Sequence, residues 1–193
     1  PDNAVLVIAG KGHEQGQIVG VSDQRAFIWQ NGVMTLLPTL NAESFSDASG
    51  INEFGQIVGT EYRQQSKDFA FIYADGVVTN VGIGLSPSTG RGINDRGYVV
   101  GNAYFGADGL GFIFDGVGTV SAREIGLEAT VIMGINNAGQ MIGYGSPVGA
   151  FRYDDGVLTS VGLFGHTTIP LDLNEHGDVV GNSGGRAFLF SGG

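Results

Sequence analysis

Short apolar runs, each stopped by glycine or an Asx-Gly pair, follow one another along the whole chain. Ala70-Phe71-Ile72, Val99-Val100 and Val179-Val180 are apolar at consecutive positions rather than at every second one. Strands of that kind have both faces covered, as when small sheets pack against one another. The stops themselves recur. INEFGQIVG at 51–59 returns as INDRGYVVG at 93–101 and INNAGQMIG at 135–143, with weaker copies LNEHGDVVG at 173–181 and HEQGQIVG at 13–20. The glycine ending the first turn falls at 16, 55, 97, 139 and 177, at spacings of 39, 42, 42 and 38. A second motif, RAFIWQNGVMT in its first copy, places Phe27, Phe71, Phe112, Phe151 and Phe188 at spacings of 44, 41, 39 and 37. Two separate markers therefore agree on five repeats of about forty residues.

Each repeat reads as four short strands. The first runs into the Asn-x-x-Gly stretch, where asparagine bonds its own backbone and glycine supplies a positive φ. Asn52 with Gly55, Asn94 with Gly97, Asn136 with Gly139 and Asn174 with Gly177 are thus assigned to turns. The second strand is the (I/V)(V/I)G segment, and the third is the aromatic AFIY-type segment. The third ends at Asn31-Gly32, Asp75-Gly76, Asp115-Gly116 or Asp155-Gly156, pairs that predict type I′ hairpins leading into strand four. Four strands every forty residues predict an all-β fold, a five-bladed β-propeller in one domain over residues 1–193. The repeats run roughly 1–40, 41–82, 83–124, 125–162 and 163–193. A linear solenoid of hairpins is the competing architecture. The fifth repeat stops at its hairpin turn, and AVLVIAG at 4–10 is the spare strand expected to complete that last blade and join the ends. Its other reading is strand one of the first blade.

The pair IN-x-x-G-x-(V/I)-(V/I)-G and A-F-(I/L)-(W/Y/F)-x-x-G resembles the HAF repeats of bacterial extracellular proteins, over essentially the whole chain. The resemblance implies an exported, secreted or cell-surface bacterial protein and a propeller-like repeat, with no single catalytic activity. One departure matters: Arg25, Phe69, Leu110, Gly149 and Arg186 replace the histidine that names the family, so no role tied to it carries over.

Composition supports turn-rich β structure, since 35 glycines in 193 residues exceed what helices absorb at about 1 kcal/mol each. The net charge of −10 repels phosphate backbones and anionic lipid, which argues against nucleic acid as a partner. No apolar run reaches the length of a membrane span, so no membrane insertion is expected. Without cysteine there is no disulfide framework and no thiol catalysis.

The candidate chemistry is sparse. No serine elbow, Walker loop or dinucleotide signature occurs, the densest acidic pair (Asp154-Asp155) lies in a turn, and the three histidines lack zinc spacing. No catalytic residue, metal or cofactor is expected. In an up-and-down blade the repetitive turns share one end, whereas the two-to-three loops and the connections between repeats share the other. Binding residues ride on variable loops held by a rigid scaffold, so the variable end is the predicted site. Its candidates are Tyr62, Arg63, Gln65, Tyr104, Phe105, Asp108, Tyr144 and His166. Aromatic faces beside amides and carboxylates suit sugars, so the expected function is a non-catalytic carbohydrate-binding module, monomeric, with a glycan or else a protein as ligand. The alternatives are a polysaccharide lyase or hydrolase using a central cavity, and a structural repeat scaffold.

Overall fold

The computed structural model describes residues 16–63, 68–82, 84, 87–105, 108–127, 130–145, 149–162 and 166–191, apart from the side chains of Phe105 and Asp108. The spare segment at 4–10 lies outside the described residues. Within them, eighteen strands form five antiparallel sheets in chain order. The first holds β1 (Ile18–Ser22), β2 (Arg25–Gln30) and β3 (Val33–Leu36). The second holds β4 (Phe45–Ile51), β5 (Ile57–Tyr62), β6 (Phe69–Ala74) and β7 (Val77–Asn80). The third holds β8 (Ser88–Ile93), β9 (Val99–Phe105), β10 (Asp108–Phe114) and β11 (Thr119–Ser121). The fourth holds β12 (Thr130–Ile135), β13 (Met141–Gly145), β14 (Gly149–Asp154) and β15 (Val157–Ser160), and the fifth β16 (Thr168–Leu173), β17 (Val179–Ser183) and β18 (Arg186–Phe190). A single 3₁₀ turn at Ala122–Ile125 is the helical element among these residues. The chain is all-β. The first and fifth sheets have three strands among the described residues, where the repeat predicted four.

Turn chemistry accounts for the pairing. Asn31-Gly32, Asp75-Gly76 and Asp155-Gly156 have positive φ at both positions and close two-residue hairpins. The third repeat departs from this. Asp115 lacks a positive φ, and its Oδ1 accepts hydrogen bonds from the Val117 and Gly118 N–H groups, which spreads the turn over four residues.

The second motif pairs with the first across the sheet. Gly59, Gly101 and Gly143 stand opposite Phe71, Phe112 and Phe151. A Cβ on Gly101 would lie 2.2 Å from the Thr89 carbonyl oxygen and 2.6 Å from the Phe112 ring. The glycine therefore leaves room for the ring packed across it on the neighbouring strand. These three phenylalanines are at most 2% exposed, each burial contributing about 1.5–3 kcal/mol.

Successive sheets pack face to face, and the core lies in the layers between them. Val19, Ala26 and Leu37 of the first repeat meet Ile57 and Phe71 of the second. Val58, Ala70 and Val81 meet Ile93, Val99 and Phe112. Val100 and Ile113 meet Ile132 and Met141, and Ile142 and Val161 meet Leu173 and Val179. The far face of the fifth sheet breaks the series. Val180 is 45% exposed, whereas its counterparts Val58, Val100 and Ile142 are 0% exposed. Ile169, Leu171 and Leu189 share that exposure.

Candidate functional site

The repeated turns at one end of the sheets are fasteners. In each, the asparagine Oδ1 accepts from backbone N–H groups two or four residues on, as Asn94 does from Arg96 and Tyr98. Its Nδ2 then crosses to the next repeat. Asn52 donates to the Asn94 carbonyl, Asn94 to that of Asn136, and Asn136 to that of Asn174, at 3.0–3.1 Å. A parallel line runs one residue later: the Glu53 N–H donates to Asp95, the Asp95 N–H to Asn137 and the Asn137 N–H to Glu175. These asparagines are almost fully buried at 52, 94 and 136, whereas Asn174 is exposed and turns its Nδ2 to Asp178. The glycines at 55, 97, 139 and 177 all hold a positive φ. The end of the sheets that repeats most closely thereby joins one sheet to the next.

The other end carries the candidate residues, and they are on strands more than on loops. Tyr62 closes β5, Tyr104 lies in β9 at the same place in the repeat, and Tyr144 lies in β13. Tyr62 is 36% exposed and its hydroxyl donates to Asp47 Oδ2 at 2.7 Å. Partial burial, then the hydrogen bond and charge of Asp47, push its pKa up to about 12, with Thr60 and Arg91 opposing. Asp47 Oδ1 also accepts from the Thr60 N–H, so one carboxylate braces two strands.

Arg63 is committed internally. Its guanidinium stacks 4.4 Å from the Phe69 ring and lies 3.6 Å from Glu61. Glu61 is 1% exposed and accepts from the Leu40 and Asn41 N–H groups, which pins the connection between the first and second repeats. Tyr144 is half-buried against the core between the fourth and fifth sheets. His166 is exposed and packs against the backbone of Gly184, where a Cβ would stand 2.8 Å from its Nδ1. Tyr104 is 37% exposed, and its main-chain N–H donates to the Pro87 carbonyl. Gln65 and the side chains of Phe105 and Asp108 lie outside the described residues. The structure thus joins Tyr62 to Asp47, and Arg63 to Glu61; Tyr144 and His166 belong to other sheets.

The sequence reading missed Asp47 and Arg91, and placed Phe45 in a connection rather than on a strand. Phe45 pairs across from Tyr62 and is 37% exposed. All three sit on the first strands of their sheets, β4 and β8, where period-two alternation (Phe45, Asp47, Ser49) was the available signal. Among the described residues no three His, Asp or Glu side chains converge as metal ligands.

No protein-family model matches the chain, and no curated protein is significantly similar to it in sequence. Among solved structures it is similar to Pyrococcus horikoshii acylaminoacyl peptidase (orthorhombic crystal form), at 15% identity and a TM-score of 0.48. That match covers 86% of this chain and 30% of the other. The chain therefore spans less than a third of that protein's length, and likeness at this level carries no functional weight.

Proposed function

We propose that the chain is a secreted, non-catalytic binding module of the HAF-repeat type, holding a glycan at the variable end of its second and third sheets. One observation carries the reading. Tyr62 and Tyr104 occupy equivalent places on neighbouring sheets, each more than a third exposed, with the Asp47 carboxylate bonded to the first hydroxyl and the Arg91 charge acting on that phenol from the third sheet. An aromatic face covers the C–H surface of a sugar ring while carboxylate and guanidinium bond its hydroxyls. The rings are held by strands, so little side-chain freedom is lost on binding. A glycan array on the purified chain tests this. Tyr104→Ala is expected to weaken capture about tenfold, the equivalent of ~1.4 kcal/mol, without shifting the melting temperature. Retained binding with lowered stability contradicts it.

The same reading takes the sheets as blades of a five-bladed ring closed through residues 4–10. Asn174, Asn182 and Val180 on the fifth sheet correspond to Asn94, Asn102 and Val100, which fasten the third sheet to the fourth. On the fifth sheet these groups are exposed. Deleting residues 1–10 is expected to abolish cooperative unfolding; an unchanged transition contradicts closure.

A further inference from the structure

At the fastened end, between the second and third sheets, lies a cleft of about 510 Å³. Its lining includes Phe54, Gln56, Ile72, Thr79, Arg96 and Phe114. A volume of that order suits a small ligand. Phe54 is 73% exposed, although its turn is otherwise tightly bonded. Arg96 comes from the facing turn. Its N–H donates to Asn94, but its guanidinium makes no ion pair or hydrogen bond among the described residues. Asp95, the carboxylate next to it, already accepts from the Glu53 N–H and the Asn137 side chain.

The fourth and fifth sheets fill the corresponding place. Between the fourth and fifth sheets, Arg152 stands at the place of Ile72 and donates through Nη1 to the Gly177 carbonyl at 2.9 Å. There a Cβ on Gly177 would meet Gln140 at 2.7 Å and Arg152 at 2.9 Å. On Gly97, the same position beside the cleft, a Cβ would meet only Gln56, at 3.5 Å. The shorter, apolar Ile72 leaves space that Arg152 fills elsewhere.

We propose that this cleft is a second binding site, separate from the variable end, for a sugar bearing a single carboxylate. The Phe54 and Phe114 rings offer apolar faces, Gln56 and Thr79 offer amide and hydroxyl groups, and Arg96 pairs with the carboxylate in a charge-assisted, bidentate bond. The net charge of −10 repels a polyanion more strongly than one isolated carboxylate, such as a terminal uronic acid.

The test is an NMR titration of the full chain with the methyl glycoside of glucuronic acid, its methyl ester and methyl glucoside. Saturable shifts at Gly97 and Gly116 are expected for the acid, with affinity about tenfold weaker for the two neutral sugars. Arg96→Gln should remove that preference and Phe54→Ala should weaken all three. Both residues are exposed, so the melting temperature should not move. Tyr104→Ala should leave these shifts intact, which separates this site from the variable end. Equal affinity for acid and ester, indifference to Arg96→Gln, shifts confined to the variable end, or no saturable binding would each overturn the proposal.

Discussion

Replacing Asn94 separates two roles that one side chain performs. Its Oδ1 accepts from Arg96 N and Tyr98 N at 3.1 and 3.0 Å, and its Nδ2 donates to the Asn136 carbonyl at 3.1 Å, in a site 1% exposed. Three hydrogen bonds at a net ~1 kcal/mol each give about 3 kcal/mol for Asn94→Ala, and burial of the unpaired groups adds to that. Asn80 provides the comparison. It makes one local bond, accepting from Gly82 N, so Asn80→Ala should cost about 1 kcal/mol. Asn94→Asp isolates the link between sheets. The carboxylate can still accept both turn N–H groups, yet it faces the Asn136 carbonyl with an oxygen where a donor stood. A loss of at least about 2 kcal/mol is expected. Equilibrium urea unfolding reads all three through the midpoint at constant slope. If Asn94→Asp unfolds within about 0.5 kcal/mol of the parent, the asparagine serves its own turn alone and the fastening argument fails.

The Tyr62 phenol gives a pH dependence. Its folded pKa, pushed up to about 12, exceeds the ordinary value of 10.0, so its contribution is complete below pH 10 and fades as pH rises towards 12. Two pH units correspond to ~2.7 kcal/mol, reduced by solvent screening at a phenol 36% exposed to about 1 kcal/mol. Tyr62→Phe should flatten that alkaline decline; a parallel decline in parent and variant contradicts it. Gly101→Ala should cost more than about 3 kcal/mol, because the methyl meets a carbonyl and an aromatic ring that cannot both retreat. Gly76→Ala, with φ of +83° and open space around it, should cost about 1 kcal/mol; equal losses in thermal unfolding would refute the steric account. Glu61→Ala frees the Leu40 and Asn41 N–H groups and should speed hydrogen exchange there while leaving Gly55 unchanged.

Much of the fold was legible because turn residues act locally. Asp75-Gly76 and Asn31-Gly32 specify their hairpins through two backbone angles, which needs no knowledge of distant contacts. The third repeat escaped that reading because the Asp115 carboxylate bonds forward to Val117 and Gly118, a choice the Asp-Gly pair does not reveal. Asn52, Asn94 and Asn136 could be read as turn formers from their spacing. Their second bond, to a carbonyl 38 to 42 residues on, is visible only once the sheets are stacked. The site was harder still. Tyr62 and Arg63 look like loop residues, yet Asp47 and Glu61 claim their polar groups. The cleft at Phe54 and Arg96 is assembled from turns and strands of two repeats, so no single stretch of sequence carries it.

Hydrogen exchange of the asparagine side-chain amides, followed by NMR on the unaltered protein, tests the fastening directly. The Nδ2 protons of Asn52, Asn94 and Asn136 are expected to exchange at least about tenfold more slowly than those of Asn41, which lies exposed in a connection. Equal, solvent-like rates at all four would mean that no bond runs from sheet to sheet.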